Sequence, residues 1–295
     1  MNSILKTLLV IYLMSIHCMC ELVAQNLSVF VSPHPDDWQL FMNPNAYKQL
    51  SSSDQKVIFL HVTAGDAGLG SGNPYYLSRE EGSLRAIRFM ANTLSGEYGS
   101  PMTSTIVNVN GHSILKKSHN NAVAYFLRLP DGNVNGAGYA IHNYQSLKRL
   151  YKGLVTTISA IDGSTTYNSL NDLETTLLQI IQLESTASGN IQFNLADTVI
   201  SINPGDHTDH IYSSTILQEV ANLVGKVTLN LYQEYVTANE PQNVFGDDYL
   251  INTGTWGVTV SGLTDEGSLS TWESIHNVWV GKQYFRTIEV NNSTP

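Results

Sequence analysis

Cysteine is all but missing from this chain of 295 residues, and the two that occur, Cys18 and Cys20, stand within the first 24 positions. A disulfide framework is therefore excluded for everything that follows, and the core must hold without covalent staples. Charge is scarce as well: Asp, Glu, Lys and Arg make up 14% of the chain, where an average globular protein has about a quarter. Basic residues are the scarcer sign, 15 against 25 acidic ones, for a net charge of −10. So acidic a protein is a poor partner for nucleic acid and is repelled by anionic membrane surfaces. No Gly-x-Gly-x-x-Gly follows the first apolar strand, and the glycine-rich stretch from Gly65 to Pro74 lacks the Gly-Lys-Ser/Thr of a P-loop. A dinucleotide fingerprint and a Walker-type phosphate cradle are thereby disfavoured, and the stretch reads instead as a loop bordering a pocket.

Long apolar runs are also lacking. The one near the start, Thr7 to Met14 after Lys6, is too short to span a bilayer, and Leu22-Val23-Ala24 ends in a small residue suited to signal-peptidase cleavage. The expectation is a cleaved signal over residues 1–24, with a mature domain from Gln25 to Pro295 that is secreted or periplasmic and has no stable membrane anchor. Neither cysteine is preceded by the small residues of a lipoprotein signal. An exported chain without disulfides points to a bacterium.

What the sequence does contain is 42% hydrophobic residues, enough for a sizeable core. Leu27 to Val31 and Lys56 to Val62 read as buried strands with a helix and loop between them, a βαβ unit that implies a parallel sheet. Within the second strand, His61 reads as a hydrogen-bonded core residue. Ser78 is expected to cap a helix carrying Leu84, Ile87, Phe89, Met90 and Leu94 on its sheet side. Thr105 to Val109 and Asn121 to Leu129 are expected as strands, joined by a polar turn that exposes His112 and His119. Asn171 or Asp172 would cap a helix from Leu173 to Leu183, and Thr198 to Ile202 reads as the next strand. Lys226 to Tyr235, Thr255 to Val260 and His276 to Tyr284 read as strands or mixed structure closing the fold, with Trp279 and Tyr284 in the core. The fold class expected is α/β, a Rossmann-like three-layer sandwich with a mostly parallel central sheet.

Chemistry concentrates at two places. Ser32-Pro33-His34-Pro35-Asp36-Asp37 directly follows the first strand, and proline forces the chain out of the sheet there. An imidazole and two carboxylates thus stand at the carboxyl end of a strand, where open α/β sheets bind ligands. A turn in which the aspartates merely cap the next helix is the plain alternative. The second place, Gly205-Asp206-His207-Thr208-Asp209-His210, again follows an apolar run. Together they suggest a metal held by His34, Asp37 and His210, the two-imidazole, one-carboxylate set of a catalytic zinc with one position open. Iron or cobalt suits the same donors. Adjacent residues in an extended or turn segment point apart, so one of Asp36 and Asp37 is free for proton transfer.

The His-Pro-Asp-Asp and His-Thr-Asp-His pair resembles the PIG-L/LmbE-like family of zinc-dependent N-acetylglucosaminyl deacetylases. Val62 to Gly68, Arg79-Glu80-Glu81-Gly82 and Leu129-Pro130-Asp131-Gly132 are similar too. The likeness runs in order from Leu27 to Tyr212 and is faint beyond. It departs at Trp38, where the family usually carries glutamate. The resemblance implies hydrolysis of an N-acetylated sugar or glycoconjugate with Asp36 as general base. It also implies His207 as the group that stabilises the oxyanion or protonates the leaving amine, and Asp209 as the residue holding His207 charged and oriented. Arg79 is expected to bind substrate. Trp38 either lines the sugar pocket or packs at the start of its helix. Tyr139, His142 and Tyr144 offer aromatic and hydrogen-bonding groups to a sugar or form an ordinary loop. A secreted carbohydrate-binding protein without turnover, or a metal hydrolase of another amide or ester, is the alternative.

Overall fold

The structure, a computed structural model, describes residues 25–96, 101–187, 189–270, 272 and 274–291; the expected signal over residues 1–24 lies outside them. The chain begins with β1 (Asn26–Ser32), the short helices α1 (Asp37–Phe41) and α2 (Asn45–Leu50), and β2 (Gln55–Thr63). A long helix α3 (Tyr75–Ser95) leads to β3 (Thr103–Val109), β4 (His112–His119) and β5 (Ala122–Leu129). After α4 (Leu147–Tyr151) and the small ribbon β6 (Ile158–Ser159) and β7 (Thr166–Tyr167) comes α5 (Leu170–Glu184). The last third runs β8 (Ile191–Ala196), α6 (Thr208–Val224), β9 (Lys226–Gln233), α7 (Gly246–Asp265), α8 (Ser274–Val280) and β10 (Tyr284–Asn291).

Eight strands form one sheet in the order β10-β9-β8-β1-β2-β5-β4-β3. The five central strands are parallel, and β10, β4 and β3 are antiparallel additions at the two edges. Both faces are covered. Leu27, Val29 and Val31 of β1 pack with Leu177 and Ile181 of α5 and Ile216 and Val220 of α6. The opposite face, through Phe30 and Phe59, packs with Ile87 and Met90 of α3 and Trp256 of α7. That is the expected three-layer α/β sandwich, and its continuous apolar strands follow from burial on both sides. The chain runs outward from β1 through β2 to β5, then returns to the other side of β1 for β8 and β9. The carboxyl ends of β1 and β8 therefore flank the switch in direction that opens a crevice in such sheets.

Several local expectations are corrected. The strand before His207 is β8, not Thr198 to Ile202, which folds as a turn with Asn203 N–H donating to Val199 O at 3.0 Å. Asp197 begins that turn by accepting the Val199 N–H at 3.0 Å, leaving Ile200 exposed. The true strand is masked in the sequence by Asn194, whose side-chain oxygen accepts from Asn230 Nδ2 at 3.0 Å and Tyr232 Oη at 3.2 Å inside the sheet. Asn110 to Asn120 is no turn: most of it is strand β4, entered through Asn110-Gly111 with φ of 53° and 86°, both left-handed. That is the Asn-Gly signature of a two-residue hairpin. His112 and His119 are accordingly buried rather than exposed. Thr255 to Val260 is helical, in α7. Its β-branched residues disfavour helix mildly, but α7 lies so close to α3 that a Cβ on Gly262 would come 2.7 Å from Gly82 Cα. Helix α3 starts at Tyr75 after Pro74, three residues before the cap expected at Ser78, and Leu94 is exposed. Ser169, not Asn171 or Asp172, caps α5 through a 3.0 Å bond from Asp172 N–H. His276 lies in α8, and Tyr284 is only partly buried, its hydroxyl donating to Pro241 O at 2.8 Å.

Candidate metal centre

Directly past β1, Pro33 and Pro35 bracket His34 and the chain turns into α1. Asp37 opens that helix, and its Oδ2 accepts the His34 N–H at 2.6 Å. Asp36 stands at the N-cap position without capping, because its Oδ1 pairs instead with Arg79 Nη2. Across the switch point, His207 ends the loop after β8 and His210 lies in the first turn of α6. The two segments meet. His34 Nδ1 and His210 Nε2 are 3.2 Å apart, His34 Nδ1 is 3.3 Å from Asp37 Oδ2, and His210 Nε2 is 3.3 Å from Asp37 Oδ1. Ligand atoms at about 2.0–2.1 Å from a tetrahedral zinc lie about 3.3–3.4 Å from each other, so these three groups are spaced as donors to one ion. All three side chains are buried.

Each imidazole is held by carboxylates at its far nitrogen. His34 Nε2 is 3.3 Å from Asp209 Oδ2, and His210 Nδ1 meets Asp206 Oδ1 at 2.8 Å and Glu234 Oε2. Such pairs fix the tautomer and aim the near nitrogen at a metal. The electrostatics agree. Burial disfavours a charged His34, yet Asp37 and Asp209 raise its pKa to about 10. Burial likewise opposes, and Asp206, Asp37 and Glu234 overcome, so that His210 is raised well above an ordinary imidazole. Burial works against Asp37 too, but His210 and His34 hold it well below the usual carboxylate range. The carboxylates that attract a proton to these rings attract a divalent cation in the same way.

His207 is different. Burial and the neighbouring His34 charge push it down to about 4, so it is neutral at neutral pH. Its Nδ1 accepts the Asp209 N–H at 3.1 Å, which leaves the ring proton on Nε2 as a donor. This corrects the expectation that Asp209 holds a charged His207. The Asp209 carboxylate is 3.8 Å from His207 and instead takes the Gly132 N–H at 2.8 Å and faces His34. Gly132 permits that approach, since a Cβ there would come 2.5 Å from Asp209 Oδ1.

A cavity of about 330 Å³ opens on the centre, lined by His34, Asp36, Asp37, Leu40, Tyr75, Arg79, Tyr235, His276 and Trp279. Arg79 donates to Gly65 O at 2.6 Å while pairing with Asp36; burial disfavours its charge, but Asp36 keeps it firmly protonated. Gly65, at φ +56°, has no room for a side chain, because a Cβ would come 2.5 Å from Arg79 Nη1. Trp38 does not reach the cavity, which corrects its placement among substrate-binding residues. Its ring is fully buried on Phe59, and its Nε1 donates to Ser83 Oγ at 2.9 Å. Ser83 is in turn 3.1 Å from His61 Nε2, and burial drives His61 down to about 3, so the expected core histidine is neutral and hydrogen-bonded here. Of the sugar-side candidates, His142 is bonded to Asp66 at 2.7 Å and Tyr144 is exposed.

Sequence reasoning missed Glu234, Tyr235 and the cavity wall at His276 and Trp279. Glu234 directly follows β9, so the carboxyl-end rule that found His34 applies to it equally.

Fold and centre together define a three-layer α/β protein with a candidate mononuclear metal site at its switch point. No family model matches the chain, and no curated protein does. Among solved structures, it is similar to the zinc inhibited form of teicoplanin deacetylase Orf2, at 14% identity and a TM-score of 0.43, over 91% of this chain and 100% of that one.

Proposed function

We propose that this protein is a metal-dependent hydrolase that removes the acetyl group from an N-acetylated sugar or glycoconjugate. The observation that carries the reading is the convergence of His34, Asp37 and His210, with donor atoms 3.2–3.3 Å apart, on a cavity that also presents Asp36. A zinc ion held by those three residues supplies a Lewis acid and lowers the pKa of a bound water; iron and cobalt are the alternatives. Arg79 engages Asp36 Oδ1, which supports Oδ2 as the atom that takes the proton of the attacking water and passes it to the departing amine. The Nε2–H of neutral His207 supports a donor role toward the carbonyl oxygen as negative charge gathers there. Arg79 holds Asp36 and Gly65 O, and as a cavity-lining side chain whose Nε has no partner among the described residues it also supports a contact to substrate. Tyr75, Tyr235 and Trp279 offer aromatic faces of the kind that pack on sugar rings. The leader expected over residues 1–24 favours a substrate outside the cytoplasm.

The test joins metal content to turnover. Purified residues 25–295 should carry about one zinc per chain, lost in His34→Ala and His210→Ala, and should release acetate from N-acetylated sugars. Asp36→Asn should keep the zinc and lose the acetate release. Wild type without zinc, even after zinc is added back, overturns the hydrolase and leaves a binding protein; equal acetate release by Asp36→Asn removes Asp36 as base.

A further inference from the structure

We infer that Glu234 and Asp206 are positioning residues for the ligand His210, and that their carboxyl groups set how tightly the centre holds its ion; this rests on the function proposed above. Both carboxylates converge on one ring nitrogen. Asp206 Oδ1 is 2.8 Å from His210 Nδ1 and Glu234 Oε2 is closer still. These are hydrogen-bond spacings, shorter than the about 3.3 Å that separates two donors on one tetrahedral ion. The trio therefore grips an N–H rather than a second metal, and fixes Nε2 as the nitrogen facing Asp37 and His34.

The two carboxylates are supported unequally. Asp206 is bonded elsewhere as well, its Oδ1 by the His207 N–H at 2.9 Å and its Oδ2 by Asn203 Nδ2 at 2.8 Å. Glu234 is fully buried, and among the described residues neither of its oxygens has a hydrogen-bond partner; Oε2 stands only in ion-pair contact with His210 Nδ1, which hydrogen-bonds Asp206 Oδ1. Asn203 ties the two loops together, since its side-chain oxygen also accepts the Glu234 N–H at 3.1 Å. A carboxyl group out of water with no hydrogen bond to answer it costs stability. With an ion at Nε2, an acidic side chain against Nδ1 stands where it would orient the ring and raise its basicity toward that ion. A purely structural carboxylate in this protein looks different. Glu184, also buried, is answered by Lys56, by Lys116 at 2.6 Å and by Tyr125 Oη at 2.5 Å.

Zinc affinity, measured by competition with a chromophoric chelator, and the melting temperature of the metal-free protein separate the two roles. Glu234→Gln keeps the volume and removes the acid group. It should weaken zinc binding about 10- to 100-fold while leaving the metal-free melting temperature close to wild type. Glu184→Gln should do the reverse, lowering the melting temperature at unchanged zinc affinity. Asp206→Asn gives a second reading in the same direction as Glu234→Gln, should the latter fold poorly. Zinc binding by Glu234→Gln and Asp206→Asn as tight as by wild type overturns this inference alone. Wild type that holds no zinc overturns the proposed function and the inference with it.

Discussion

On the proposed function, zinc entering this centre must expel protons, and the inner ring nitrogens hold the first of them. The outer ring nitrogens face carboxylates, His34 Nε2 toward Asp209 and His210 Nδ1 toward Asp206 and Glu234, which favours an N–H at each. The inner nitrogens, 3.2 Å apart with Asp37 against both, are where an ion and a proton compete. Burial opposes charge there, but the carboxylates prevail and lift His34 to about 10. At about pH 6 the pair therefore holds at least one proton that zinc displaces. His207, at about 4, contributes none. Each displaced proton makes the affinity rise about tenfold per pH unit, or about 1.4 kcal/mol. The stability of the metal-free protein runs the other way. Because the folded pKa of His34 lies above the ordinary 6.5, its contribution is fully present below about pH 6.5 and is lost as pH rises toward about 10. Calorimetry of zinc binding near pH 6, in two buffers of different ionisation enthalpy, counts the protons. Between one and two per zinc is the expected result. Equal heats in both buffers, with affinity flat in pH, would refute the reasoning.

Two further substitutions separate roles within the site and around it. His207→Gln should lower kcat by about 10²–10³ through loss of the oxyanion donor while zinc content stays at the wild-type level; an unchanged kcat removes the role. Trp38→Phe loses the bond to Ser83 Oγ inside the core and should cost about 1–2 kcal/mol of stability. Its KM should stay within about twofold of wild type, and a large rise in KM would return Trp38 to the pocket.

The parallel core was legible because strands buried on both faces read as unbroken apolar runs, as at Leu27 to Val31. The paired histidine motifs were legible because proline and glycine forced both out of the sheet at strand ends. Reading failed where polar residues are buried for each other's sake. Asn194 concealed β8 because its partners, Asn230 and Tyr232, lie on the next strand, 36 and 38 positions away. Thr255 to Val260 carried a local preference that the close contact of Gly82 with Gly262 overrode. His112 and His119 were misjudged because the Asn110-Gly111 turn was read as part of a loop. Glu234 stood outside the two motifs, and only the adjacency of β9 to β8 brings it to His210.

His34 and His210 lie 176 positions apart in the chain yet come together past neighbouring strands, with Glu234 further on still. The three proposed donors therefore come together only where β8 lies beside β1, and Glu234 joins them only where β9 lies beside β8.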